Sequence, residues 1–217
     1  MIGKSCLALA TLVFLAGIQA GAGTITGKIR LGNIAGAVDS SKDDNNKENV
    51  VVWLEGETDP KAPEAPLRIS QKNLQFSPEF LVVTKGQTVE MPNYDDVAHN
   101  VYSFTGISQF NLGIYPKGES RSVTFDKSGV VDVFCSIHHH MHARVFVVPS
   151  RYFSSSRPGD VYNIPNVPAG SYTLKVWYER SRMITKVVHV PKDGTVQENV
   201  ILESGSQPVI ASKDSKE

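Results

Sequence analysis

The sequence predicts an all-β protein, and three observations carry that prediction. Short apolar runs, alternating or continuous, recur along most of the chain. Gly, Pro, Asn and Asp punctuate them, and no segment beyond the first 22 residues shows a convincing amphipathic-helix period. Many short strands separated by turn residues indicate a β-sandwich or barrel. The one helix the pattern admits is a short one near residues 107–112.

Taken in order, Ile25, Ile29 and Leu31 alternate with polar residues, and Val50 to Leu54 is a continuous apolar run. Further strands are expected at Leu81 to Val83, Val89 to Met91, Val123 to Phe125, Val130 to Phe134 and Val145 to Val148. Three more are expected at Tyr172 to Tyr178, Ile184 to Val190 and Val196 to Leu202. Asp193-Gly194 between the last two reads as a hairpin turn. Polar segments divide the chain at Asp39 to Asn49, at Glu55 to Pro66, at Ser150 to Gly159 and in the tail Ser204 to Glu217. The second of these has the proline and acid content of an interdomain linker, and the tail that of disorder.

Residues 1–22 have the layout of a secretory signal. Lys4 precedes an apolar stretch from Leu7 to Ile18, and Ala20-Gly21-Ala22 fits a small-residue cleavage site. That stretch is too short for a membrane span, and no other segment offers one. The 217 residues carry 22 basic and 22 acidic side chains. Loss of Lys4 with the signal leaves a net charge of −1, which argues against nucleic acid or an anionic membrane surface as a bulk partner. It would also remove Cys6, so Cys135 would stand alone in an oxidising compartment. A single cysteine there means an intermolecular bridge, a buried inert thiol or a metal ligand.

The surroundings of Cys135 favour the third option. The chain reads Val133-Phe134-Cys135-Ser136-Ile137-His138-His139-His140-Met141-His142 directly off an apolar strand, with a lone His99 upstream. One thiolate, two imidazoles and one thioether are the ligand set of a mononuclear electron-transfer copper site, since soft sulfur suits Cu(I) and imidazole suits both oxidation states. Val131, Val133 and Cys135 share parity, so the sulfur should point to the sandwich interior. The alternative is a buried cysteine beside a solvated run of histidines. Of these, His139, His140 and His142 form either a pH-sensitive rim or a second, exchangeable metal site. Asp95 and Asp96 are candidates to orient His99 or to serve as plain turn residues. Tyr102, Phe104, Phe110 and Tyr115 read as packing residues, and His189 as a surface or core-edge residue. Zinc sites commonly use more cysteines or two His pairs, and no phosphate loop or nucleophile elbow appears, so no catalytic residues are assigned.

Residues 74–149 resemble a cupredoxin. Phe76-Ser77-Pro78, the stretch Val82-x-x-x-Gly86-x-x-Val89, Asn93-Tyr94-Asp95 and His99-Asn100-Val101 match the family's first half. Phe125-Asp126-Lys127-Ser128-Gly129 and Cys135-x-x-His138-x-x-Met141 match its second, with the ligand spacing of the amicyanin type. The resemblance implies one copper ion held by His99, Cys135 and His138 with Met141 axial. It also implies that Asn100 ties the two ligand loops together. Ile137 and His139 stand where the family usually has proline, and the histidine rim replaces the usual apolar docking patch. The stretch Asn111-Leu112-Gly113-x-Tyr115-Pro116-Lys117-Gly118-Glu119-Ser120 resembles methylamine-utilisation-type periplasmic proteins.

The flanks resemble carboxypeptidase-regulatory-like, transthyretin-like β-sandwich domains. Gly23-Thr24-Ile25-Thr26-Gly27, Asn49 to Leu54 and Tyr162 to Val176 carry that likeness. The fold expected is therefore a cupredoxin-like Greek-key β-sandwich with a second, transthyretin-like module. The boundaries expected are signal 1–22, first strands of the outer module 23–57, linker 58–67, cupredoxin 68–149, remainder of the outer module 150–203 and tail 204–217. A single enlarged sandwich is the alternative. The function implied is a periplasmic blue-copper carrier of single electrons between protein partners, with no nucleic acid and no integral membrane segment. The competing readings are copper delivery through the histidine loop and a non-redox interaction domain.

Overall fold

The computed structural model describes residues 21–32, 49–56, 66–179 and 183–202. The signal-like stretch up to residue 20, the loop at 39–48, most of the 58–67 linker and the 204–217 tail lie outside the described residues. Among the described residues every regular element is a strand, and no helix is long and apolar enough to cross a membrane.

The strands in order are β1 (Ala22–Leu31), β2 (Val50–Glu55), β3 (Leu67–Arg68), β4 (Ser70–Lys72), β5 (Gln75–Ser77) and β6 (Phe80–Thr84). Next come β7 (Gln87–Pro92), β8 (His99–Ser103), β9 (Phe110–Tyr115), β10 (Ser120–Phe125), β11 (Gly129–Phe134) and β12 (His142–Val148). The last six are β13 (Phe153–Ser156), β14 (Val161–Pro168), β15 (Gly170–Tyr178), β16 (Ile184–Val190), β17 (Thr195–Gln197) and β18 (Val200–Leu202).

Four sheets hold most of them, and three apolar layers separate the sheets. The first sheet runs β14-β1-β17, with β18 continuing along β1, and the second runs β13-β2-β15-β16. Ile25, Ile29, Tyr162 and Ile164 of the first pack on Val52, Leu54, Leu174 and Val176 of the second. The third sheet runs β6-β12-β11-β8-β9, and the fourth β10-β7-β3. Between them lie Val83, Val101, Val131, Val133 and Val145 on one side and Val89, Met91 and Phe125 on the other, with Cys135 and Met141 in the same cluster. A third apolar cluster joins the two sandwiches: Val51 and Trp53 of β2 meet Val82 of β6 and Phe146 and Val148 of β12, with Trp177 packed alongside. Trp177 lies 4.8 Å from Phe146, and Phe80 stacks on Trp177.

This stacking explains the run Val50 to Leu54. A half-buried strand alternates, but all five of these residues are buried because β2 has an apolar layer on each face. It also explains where the chain crosses between sandwiches. The segment from β3 to β12 leaves after β2 and returns into β13, and those two strands pair with each other. Gly27, in the middle of β1, has no room for a side chain because the Glu198 carbonyl sits against it. That carbonyl lies at the break between β17 and β18.

Four expectations are corrected. Residues 107–112 form no helix, since β9 begins at Phe110. Ile107, Phe110 and Leu112 all pack on the inner core, and the chain then kinks at Gly113 (φ 70°) so that Tyr115 is buried and Ile114 exposed. An irregular register between β8 and β9 accompanies this. A bulged edge strand thus imitates helical spacing. Asp193-Gly194 is not a hairpin turn: β16 pairs with β15 while β17 pairs in parallel with β1, so the turn carries the chain between sheets. The stretch expected as one strand from Val196 to Leu202 is divided into β17 and β18. Leu67, expected at the end of the linker, opens β3 and packs on the inner core.

Candidate metal centre

Four side chains expected as ligands come from two places in the inner sandwich. His99 opens β8, while Cys135, His138 and Met141 lie on the loop between β11 and β12. Val131 and Val133 point into the core, so Cys135 follows them inward and is buried. The loop turns back through a hydrogen bond from the Met141 N–H to the His138 carbonyl, 2.9 Å. Met141 is buried in the same cluster as Cys135, and His138 is half-buried.

Three ligand atoms converge. His99 Nδ1 lies 3.0 Å from His138 Nδ1, and Cys135 Sγ lies 4.0 and 3.9 Å from those two nitrogens. Among the described residues these three form the one group of histidine, cysteine and acidic side chains close enough to share an ion. The point equidistant from the three atoms is about 2.1 Å from each, close to the roughly 2.0–2.3 Å of metal–imidazole and metal–thiolate bonds. The donor set therefore fits a metal ion.

The second nitrogen of His99 shows how the ring is aimed. Nε2 lies 2.8 Å from Asp95 Oδ2. That contact assigns the proton to Nε2 and leaves the Nδ1 lone pair facing His138 and Cys135. At 3.0 Å, His138 Nδ1 either donates a proton to that lone pair or shares a cation with it. Asp95 is itself held in place. It accepts from the Asn73 and Leu74 N–H groups at 2.6 and 2.9 Å, and its own N–H donates to Asn93 Oδ1. Burial raises its pKa, but the hydrogen bonds from Leu74, His99 and Asn73 outweigh that and keep it below the usual carboxylate range.

Asn73 and Leu74 form the two-residue turn between β4 and β5, both with φ near +57°. Such a turn favours glycine, and Leu74 pays for its conformation by presenting an N–H to Asp95. Asp95 thus serves both as a turn residue and as the orienting group for His99, whereas Asp96 pairs with Lys117 at the surface. Sequence reasoning missed the 73–74 turn because no glycine marks it.

The Asn100 expectation is also corrected. Its Nδ2 donates to Asn111 Oδ1 at 2.8 Å, tying β8 to β9, while its Oδ1 is buried without a partner. The ligand segments meet instead where His99 Nδ1 approaches His138 Nδ1 and Cys135 Sγ. Beneath the site, Tyr115 donates to the Met91 carbonyl and accepts from Gln71 Nε2, at 2.7 and 2.6 Å. Burial pushes its phenol up to about 12, so it stays neutral. Phe110 packs as expected, but Phe104 is 74% exposed and leans on Tyr102 at 4.7 Å. His189 is exposed and bonded to Ser171.

Residues 63–148 match the family model of copper binding proteins of the plastocyanin/azurin family, which spans less than half of the chain. Similar solved structures include a copper-containing nitrite reductase from Thermus scotoductus, at 27% identity and TM-score 0.37 over 39% of this chain. The chain spans only 22% of that reductase. A reduced Cu(I) amicyanin variant is 20% identical, with TM-score 0.37, over 45% of this chain and 98% of its own. A purple cupredoxin from Nitrosopumilus maritimus is 26% identical, with TM-score 0.35, over 38% of this chain and 99% of its own. No curated protein matches.

Proposed function

We propose that His99, Cys135, His138 and Met141 hold one copper ion and that the protein carries single electrons between protein partners in the periplasm. The observation that supports this best is the convergence of two imidazole Nδ1 atoms and one buried thiol, with a buried methionine on the same loop. A thiolate, two imidazoles and a weak thioether are the donors that serve both copper oxidation states in one geometry. Bound copper would supply the one-electron couple. Asp95 fixes the tautomer of His99, the valines around Cys135 keep water from the thiolate, and half-exposed His138 offers the way out for the electron. Tyr94, Val97 and Ile137, exposed in the loops that carry the ligands, supply apolar surface against which a partner would pack.

The two sandwiches are read as two domains, the inner one cupredoxin-like and the outer one transthyretin-like, built from both flanks. The shared core of β1, β2, β14 and β15 supports that reading. The outer module would serve as a frame for the inner one. Residues 1–22 would direct export, and the 111–120 stretch is the basis for likening the chain to methylamine-utilisation-type proteins.

A delivery role is the second reading, and one observation favours it. His140 stands edge-on to His138 with ring centroids 6.3 Å apart. It also lines, with His142, Glu79 and Glu179, a cleft of about 330 Å³. Voltammetry of the copper-loaded chain in the presence of a chelator separates the two. A reversible one-electron wave with copper retained supports the carrier. Copper lost to the chelator, with retention altered in His140→Ala, supports delivery.

A further inference from the structure

We propose that the outer module positions the metal loop through a ladder of three cross-strand pairs, with Arg144 as the residue that couples the two. The pairs are Val130–Phe146, Asp132–Arg144 and Phe134–His142, consecutive on one face of β11 and β12. The intervening Val131, Val133, Ala143 and Val145 face the inner core. The ladder therefore occupies the opposite face, the one turned toward the outer module.

Each rung has its own chemistry. Val130 and Phe146 belong to the intermodule cluster, with Phe146 4.8 Å from Trp177 and 5.7 Å from Trp53. In the middle rung Asp132 Oδ1 accepts from Arg144 Nε at 2.9 Å and meets His142 Nε2 at 2.9 Å. Arg144 Nη1 reaches the other way, to Glu179 of the outer module. Glu179 follows Trp177 by two residues, so one strand end of the outer module touches both upper rungs. In the lowest rung the rings of Phe134 and His142 stack at 5.0 Å and 29°. The next residues inward along the chain are Cys135 and Met141.

Both ends of the loop are thereby gripped by side chains whose placement depends on the outer module. The loop between them has little else to fix it on the outside: Ser136, Ile137, His139 and His140 are exposed. An exposed ion pair contributes little to stability. Here, however, a guanidinium with its side chain 23% exposed bridges two carboxylates from different modules. Its planar fork fixes direction as well as distance. Arg144 is a positioning residue and touches none of the proposed ligands.

The metal part of this inference rests on the copper reading above, whereas the mechanical part does not. The test uses the full chain with Glu179→Ala and Arg144→Met, and His189→Ala as a distant control. In metal-free protein the Met141 amide, bonded to the His138 carbonyl, is followed by hydrogen exchange. Loss of one charge-assisted link predicts exchange faster by about tenfold in both variants, with Val131 and Val145 amides unchanged. His189→Ala leaves all three amides as they are. An unchanged Met141 rate in Glu179→Ala overturns the proposal, as does a uniform acceleration of all amides, which would mark general destabilisation. In Cu(II)-loaded protein the ratio of the two thiolate-to-copper bands and the copper hyperfine splitting should shift in Glu179→Ala. A wild type without those bands sinks the copper reading, and the exchange result still decides the ladder.

Discussion

The two sandwiches use the same core material and differ in what else they bury. Eight polar side chains are buried among the described residues: Gln71, Thr84, Gln87, Asn93, His99, Asn100 and Ser103 in the inner sandwich, and Ser150 at the junction. Burying a polar group costs free energy unless a partner satisfies it. Three of the inner seven, Gln71, Asn93 and His99, belong to one connected set that runs from Gln71 through Tyr115 to Asn93, then Asp95 and His99. The outer sandwich is an apolar frame. The proposed chemistry falls where the core has given up apolar packing.

The largest way to break this contrast is to remove a large side chain from each apolar layer. Leu174→Ala in the outer core should cost about 2–5 kcal/mol and Phe146→Ala in the intermodule layer about 3–5 kcal/mol, read by denaturant unfolding. Phe146→Ala should in addition divide one unfolding transition into two, because it sits between the sandwiches and not within either. A single transition in Phe146→Ala would show that the layers do not separate in that way.

A polar change in the inner sandwich should act on metal affinity more than on folding. Asp95→Asn removes the carboxylate that orients His99, and copper affinity should fall about 10–100-fold in a chelator competition. A smaller effect is expected beneath the site. Tyr115→Phe removes the hydroxyl shared by Gln71 Nε2 and the Met91 carbonyl, which stay bonded to each other at 3.0 Å, and should cost about 0.5–1.5 kcal/mol by denaturant unfolding.

The smallest effect is a pH dependence at the middle rung. Burial raises the Asp132 pKa, but hydrogen bonds from His142 and Arg144 outweigh it and hold the carboxyl below its ordinary value. A carboxyl lowered on folding adds stability above its unfolded pKa, about 3.9, and loses it as pH falls through the folded value. The melting temperatures of wild type and Asp132→Asn should therefore differ at neutral pH and converge on acidification. A gap that persists at acid pH would assign the difference to packing.

The strands legible in the sequence are those whose faces differ in polarity, such as β1, or that are buried on both, such as β2. His99–Ser103 escaped notice because β8 buries His99, Asn100 and Ser103, so its inward residues do not read as apolar. The bulge at Gly113 disguised β9 as helix. The loop Cys135 to Met141 was legible because three donor types crowd into seven residues. The role of Asp95 was only half legible, since it depends on a turn 22 residues away in sequence. The ladder was not legible at all, because Arg144 meets Glu179 only when the two sandwiches stack.

The most direct test of the proposed copper centre is a Cu(II) titration of the full chain followed by visible absorption, with Cys135→Ser and His99→Ala alongside. An intense thiolate-to-copper band that saturates at one equivalent and vanishes in both variants is the result predicted. Copper bound without that band, or binding that survives Cys135→Ser unchanged, would contradict the account and move the metal to the histidine rim.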